Sequence, residues 1–437
     1  TLLELVIDLY EAGDYAQGIT LAEKWVKQQN VSRQEDIYPL VYYYIAYGYQ
    51  NLHRKENTEQ ANCYMTMYVT LGENAAADGC FPHRTEDYIV LKSLAEEYHL
   101  AMAYYYLGCL LYDRRVYDES IEDYEESILR SPDFPTVHRN LALAYYNVKK
   151  LPQRAYEEME KAFALDETDL ELDQLKKRLN VAVKERWSDM EKHFDLVESR
   201  DDLYLEYVTL LNTLGEPEKA LGLIKARKFH QWEGGEGKVA AQYLTALYQL
   251  AKAAVEKEDY AEAKELLLRA VGEYPHNLGE GKLESGQENN LYYLLGLVQE
   301  KLGEAKDAFE SLTRACCGES EPVGMMYYND QPPEMIYYQG LAYRMLGEEE
   351  QAVRRFQKLV DYGREHIRDD VKIDYFAVSL PDLLIFEENL NERNRKHCLF
   401  MVSLGLKGLG RIDEAEKCAE ELLAMDNAHQ EIRVHDL

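Results

Sequence analysis

The chain has 437 residues, enough for two or three ordinary domains or one long repeat array, and a 46% hydrophobic fraction supports a sizeable core. With 80 acidic against 49 basic residues the formal net charge is −31, a surface that repels phosphate backbones and anionic membranes and so excludes nucleic acid and membrane surfaces as partners. No stretch approaches the roughly 18 consecutive apolar residues of a membrane-spanning helix, and seven Cys without a CxxC spacing read as reduced, buried thiols of a cytoplasmic protein. Residue 1 is Thr and the chain opens inside a helical pattern (TLLELVIDLYEAGDY), as a piece of a longer protein would.

Gly13 with Gly18 suggests a first helix pair and Ala46 with Ala61 a distorted second, within divergent helices over 1–100. From there the pattern sharpens. Tyr104, Leu107, Gly108 and Leu111 share one helical face, and Tyr117, Ser120, Tyr124 and Pro132 follow. This arrangement resembles the tetratricopeptide repeat family, in which a small residue on helix A meets a small residue on helix B and a large residue one turn later plugs the gap. The small-to-small spacing of twelve recurs at Gly108/Ser120, Val208/Ala220, Ala251/Ala263, Gly296/Ala308, Gly340/Ala352 and Ser403/Ala415, and is thirteen at Ala142/Ala155. Gly215, Gly303, Gly347 and Gly410 each precede the helix-B anchor by five, where a positive φ ends helix A. The resemblance implies an all-α fold, a right-handed superhelical solenoid of helix pairs with a concave groove.

The pattern divides further along the chain. Regular pairs and a degenerate one (169–200) fill 101–200, pairs with long loops fill 201–360, and an extra helix with linker precedes a last pair in 361–437. Three inserts, 229–239, 277–290 and 316–335, fall at the same junction of successive repeats, which places them along one rim. Two carry the same tetrapeptide, Gly235-Glu236-Gly237-Lys238 and Gly279-Glu280-Gly281-Lys282. Either these loops present Glu and Lys to a ligand, or they are helix starts whose Glu sits near a helix N-terminus. On the first reading the rim binds through Trp232, Glu233, Glu236, Lys238, His276, Asn277, Glu280, Lys282, Tyr327, Tyr328, Asn329, Asp330 and Gln331. The segments FHQWEGGEGKV, YPHNLGEGKL and YYNDQPPEM also resemble the repeat-bearing C-terminal half of large bacterial proteins with an N-terminal mutarotase-like β-sandwich. That resemblance implies a carbohydrate-related context.

The residues three before the helix-A small positions include Tyr105, Tyr248, Tyr293, Tyr337 and Phe400. In the family this position faces the groove, so they form either an aromatic ladder for a ligand or core. One turn on, where a carboxylate-clamp repeat needs Asn, stand Cys109, Thr209, Lys252, Leu297, Leu341 and Leu404; that clamp is absent. No HExxH, GxSxG or calcium-loop spacing occurs, and no metal or cofactor is expected. The one catalytic alternative is a pair drawn from Glu233, Glu236 and Glu280 doing glycosidic acid–base work. The sequence therefore points to a scaffold that binds a peptide, a protein partner or its own missing N-terminal domain, with a sugar site completed by the rim loops as the alternative.

Overall fold

The computed structural model describes residues 2–29, 33, 36–56, 59–167, 171–230, 232, 235–282, 286–324, 330–372 and 385–435. Among these residues the fold is all-α, without strands, in two compact units, 1–172 and 173–437. The first unit contains α1 (Leu2–Glu11), α2 (Tyr15–Gln28), α3 (Pro39–Glu56), α4 (Glu59–Asn74), α5 (Thr85–Tyr98), α6 (Ala101–Asp113), α7 (Tyr117–Arg130), α8 (Pro135–Asn147) and α9 (Pro152–Leu165). The division between the units falls at the start of α10 (Glu171–Arg178). The second contains α11 (Val183–Lys192), α12 (Phe194–Ser199), α13 (Asp201–Thr213), α14 (Pro217–Ala226), α15 (Lys238–Glu256) and α16 (Tyr260–Val271). It continues with α17 (Asn289–Lys301), α18 (Ala305–Ala315), α19 (Pro333–Met345), α20 (Glu349–His366), α21 (Leu390–Gly408), α22 (Ile412–Met425) and the short α23 (Gln430–Val434). Within each unit, helix pairs joined by short turns stack on their chain neighbours.

The small residues permit these pairs. A Cβ at Gly108 would lie 2.5 Å from the Tyr124 ring, one at Gly296 2.6 Å from Leu312, and one at Gly340 2.5 Å from Phe356. Each plug stands four residues after its helix-B anchor, so the large side chain enters the space that the missing Cβ leaves. Two crossings add a hydroxyl bond, from Ser120 Oγ to the Gly108 carbonyl (2.7 Å) and from Ser403 Oγ to the Ala415 carbonyl (3.0 Å). Val208 is fully buried opposite Ala220 although it is not small.

Turn chemistry follows the same register. Gly13, Gly215, Gly303, Gly347 and Gly410 hold φ between +75° and +82°. The next amide then reaches back five residues, as from Glu216 to the Leu211 carbonyl (3.0 Å), and satisfies a carbonyl at the end of helix A. In three pairs Arg115, Lys150 and Glu258 occupy this position at φ +62°, +54° and +57°. A side chain there crowds the following carbonyl and costs about 1–2 kcal/mol.

The irregular stretches have their own physics. The degenerate pair is held by charge: Arg186, fully buried, bonds Asp173 (3.0 and 2.6 Å) and Glu206 (2.7 Å). α5 has no hairpin partner of its own and packs on α3 and α6. Of the extra helix expected within 361–395, residues 373–384 lie outside the described residues. The described parts on either side belong to a long α20 and a long α21.

Glu258→Gly is expected to raise stability by about 0.5–1 kcal/mol, because glycine carries no penalty at positive φ. Gly340→Ala is expected to lower it by about 1–3 kcal/mol through overpacking against Phe356. Denaturant midpoints read both, and equal effects of the same sign would contradict this account of turn and crossing.

Candidate functional site in the second unit

The groove of the second unit is occupied by the chain's own C-terminal segment, residues 426–435. After α22 ends, Asn427 pairs with Asn180 in the loop between α10 and α11. The Asn427 amide donates to Asn180 Oδ1 (2.8 Å), its Nδ2 to the Asn180 carbonyl (2.7 Å), and the Val183 amide donates to Asn427 Oδ1 (3.1 Å). The segment then turns into α23, whose N-terminal Ile432 amide points at the His429 imidazole (3.4 Å).

Both side chains and backbone of α23 are read by the groove. Gln430 donates to the Thr209 carbonyl and Thr213 Oγ1 (both 3.2 Å) and accepts from Gln242 Nε2 (2.9 Å). Ile432 and Val434 are buried. Lys252 Nζ donates to the Val434 carbonyl (2.8 Å), putting a cation at the end of α23 where the helix dipole favours it. His435 Nδ1 lies 3.0 Å from the Tyr338 hydroxyl, which pairs with the Tyr248 hydroxyl at 2.6 Å. The Phe400 and His429 rings meet at 5.1 Å.

This arrangement locates the aromatic ladder. Tyr248 and Phe400 touch the segment directly, and Tyr293 reaches it through Tyr338 at a ring separation of 5.5 Å. Tyr337 packs on Phe356, and Tyr105, in the first unit, packs on Tyr124 and Phe134; both are buried. Thr209 and Lys252, at the position where a clamp Asn is missing, contact the segment. The sequence reading passed over residues 426–437, and Tyr338 with them. Their signal is faint: Ile432 and Val434 are the only aliphatic pair in a stretch too short to show a period.

Glu334, in the first turn of α19, is 8% exposed. Burial, and then the charge of Glu431 on α23, push its carboxyl up to about 8.

The rim inserts are tied to one another. The Phe229 amide donates to the Asn277 carbonyl (3.0 Å), and Asn277 Nδ2 caps the end of α14 at the Lys225 carbonyl (2.8 Å). Glu280 of the second GEGK accepts from the Gly237 amide (2.7 Å) and the Ala240 amide (2.8 Å), at the N-terminus of the helix that follows the first GEGK. Lys282 pairs with Glu288 (2.9 Å), and Asn289 bonds the Ala315 and Cys317 carbonyls (2.8 and 2.7 Å). Glu73 makes the same foreign cap in the first unit, on the Met102 and Ala103 amides of α6 (3.1 and 3.3 Å).

Trp232 is half-buried, and its ring covers Gly235 so closely that a Cβ there would meet it at 2.3 Å. Glu236, Lys238 and His276 are exposed, Asp330 is half-buried and Gln331 buried. Glu233, Tyr327, Tyr328 and Asn329 lie outside the described residues. Of the candidate catalytic carboxylates, Glu280 is held by two backbone amides and Glu236 points to solvent. Among the described residues no group of three or more His, Cys, Asp or Glu is placed to hold a metal ion, and no helix is long and apolar enough to cross a membrane.

Residues 248–322 and 334–362 match tetratricopeptide repeat family models. Similar solved structures include Naa15/Naa10 bound to HypK-THB, at 13% identity and TM-score 0.29, covering 99% of this chain and 60% of that one. Another is the apo form of the quorum sensor NprR from B. thuringiensis, at 12% identity and TM-score 0.26, covering 97% of each chain. A third is the human IFIT1 dimer with PPP-AAAA, at 12% identity and TM-score 0.30, covering 96% and 89%. The chain thus spans about 60% of the Naa15/Naa10 chain it matches. Over 248–322 and 334–362 it carries tetratricopeptide repeats, set in an all-α array.

Glu280→Ala is expected to cost about 1–2 kcal/mol, because two helix-start amides lose their acceptor; amide exchange at Gly237 and Ala240 should accelerate with it. Glu334 gives a pH signature. The folded form keeps a proton that the unfolded chain releases near about 4.3. Its stabilising share is therefore full at low pH and is lost as pH rises from about 5 to about 8. The melting temperature of the native chain should fall across that window more steeply than that of Glu334→Gln, and parallel curves would show that Glu334 does not titrate there.

Proposed function

We propose that the chain is an interaction scaffold whose second unit binds a short helical peptide in its groove, with the C-terminal segment as the resident occupant. The observation that carries this reading is the dual recognition of α23. Gln242, Thr209 and Thr213 read the Gln430 amide, Lys252 meets the last carbonyl, and Tyr248 with Tyr338 seat the terminal imidazole. A groove that satisfies amides, a helix end and apolar side chains together is shaped for a peptide, because each of these groups costs free energy if buried alone.

The resident segment sets the affinity of anything else. An external ligand reaches the groove only in the fraction of molecules whose segment is undocked, so its apparent affinity is reduced by that fraction. The scaffold is in this sense self-masked, and the acidic outer surface remains available to other partners.

A chain ending at Met425 should melt at a lower temperature than the full chain. It should bind a fluorescent peptide of residues 426–437, whereas the full chain should bind that peptide at least tenfold more weakly. Equal melting of the two chains together with no peptide binding would remove the groove from the function.

A further inference from the structure

The end of α10 forms a receptor for one primary amide. Asn180 stands in the left-handed region at φ +56°, and the Val181 amide reaches back to the Lys176 carbonyl (3.0 Å), a helix end of the kind that glycine or asparagine makes. The turn leaves the Asn180 and Val181 carbonyls and the Val183 amide converging on the side chain of Asn427. Its Nδ2 donates to the two carbonyls (2.7 and 3.2 Å), and its Oδ1 accepts from the Val183 amide (3.1 Å). Three residues on, the buried Gln430 meets a second receptor. Its Nε2 faces the Thr209 carbonyl, Thr213 Oγ1 and Gln242 Oε1 (3.2, 3.2 and 3.1 Å), and its Oε1 accepts from Gln242 Nε2 (2.9 Å). Gln242 is held in turn by the buried Asn212, whose Nδ2 donates to its carbonyl and to its Oε1 (both 3.0 Å). Every group that reads the two amides is uncharged, and each is fixed by the end of α10 or by its neighbours on α13 and α15.

Resting on the groove reading above, we propose that the partner is a segment of another protein with asparagine and glutamine three residues apart and branched aliphatics two and four residues after the glutamine. A carboxamide carries a donor and an acceptor on one carbon, which is what each receptor requires. A carboxylate at the Asn427 position has no donor and sets negative charge against the Asn180 and Val181 carbonyls. An ammonium there has no acceptor for the Val183 amide, and an apolar side chain leaves all three groups without a partner. Selection works by rejection: sequences that lack either amide strand polar groups of the groove, whereas the buried aliphatic positions accept any side chain of suitable size. The spacing also fixes register, since a segment shifted by one residue loses both amides at once. The resident α23 has five residues, too few to hold a helix alone in water, so it stays docked through these contacts and yields to a segment that makes the same ones.

The test uses the full chain and three fluorescently labelled peptides of residues 426–437: native, Asn427→Leu and Gln430→Met. The substitutions keep size and net charge and remove only the amide. The receptor carries Ile432→Asp in its own segment, which loosens the resident helix without altering the groove. Each substituted peptide is expected to bind at least about tenfold more weakly than the native one. A receptor that also carries Gln242→Met, in which Asn212 keeps the Gln242-position carbonyl as acceptor, should shrink the Gln430 ratio to about threefold or less and leave the Asn427 ratio unchanged. Equal binding of all three peptides overturns the amide inference and leaves the groove reading standing, whereas no binding of the native peptide overturns the groove reading itself. A loss confined to one substituted peptide overturns the paired spacing. A Gln430 ratio that survives Gln242→Met shows that methionine fails by its packing, and overturns the second receptor.

Discussion

The close approach of two helix backbones at a glycine or alanine is the constraint on which the rest depends. Where Gly340 lets Phe356 enter, or Gly108 lets Tyr124 enter, the helices of a pair lock at a fixed distance and angle. A pair so locked still presents one apolar face that it cannot bury alone, so it stacks on the next pair. The turn follows from the same geometry. A helix that must reverse within a few residues needs a left-handed residue at its end, and the amide beyond it closes the carbonyls left open. Arg115, Lys150 and Glu258 show that the turn is kept even where no glycine is there to make it easy.

Polar groups extend that order along the edges. Glu73 and, from the insert after α16, Glu280 cap helix starts outside their own helices, Asn277 closes the end of α14 across a junction, and Asn289 closes the end of α18 within its pair. The bonds to the Ala240, Met102 and Ala103 amides and the Ala315 carbonyl matter more than their modest net energies suggest, because these groups are wholly or partly buried and would otherwise go without partners. The long inserts thereby act as an edge strap, and the two GEGK copies divide the work: the first leads into α15, and Glu280 of the second caps that same helix start.

What was legible in the sequence was what repeats. The twelve-residue spacing, with a glycine five before the anchor in four of the pairs, located α6 with α7 and α13 through α22, and the plug positions Tyr124, Leu312 and Phe356 fall where that spacing puts them. The unpaired α5 was not legible, because it has no partner with which to repeat. Nor was the Arg186 cluster, where charge replaces the small-residue crossing and leaves no apolar period to read. At the groove, the ladder positions of Tyr248 and Phe400 came from the register, but their occupant did not. Residues 426–435 are recognised by tertiary contacts with Asn180, Gln242 and Tyr338, residues far away in the chain, and no local pattern announces such contacts.

The pairing of Asn427 with Asn180 joins the tail of the second unit to its head. Repeat arrays with free ends evolve by gaining and losing modules, since an added pair only lengthens the stack. A tied unit has no such freedom. One more helix pair would carry Asn427 away from its partner and pull α23 out of register with Gln242 and Lys252. The number of repeats in this unit is therefore a fixed quantity, as in a closed ring, and divergence is channelled into the rim inserts and the outer faces.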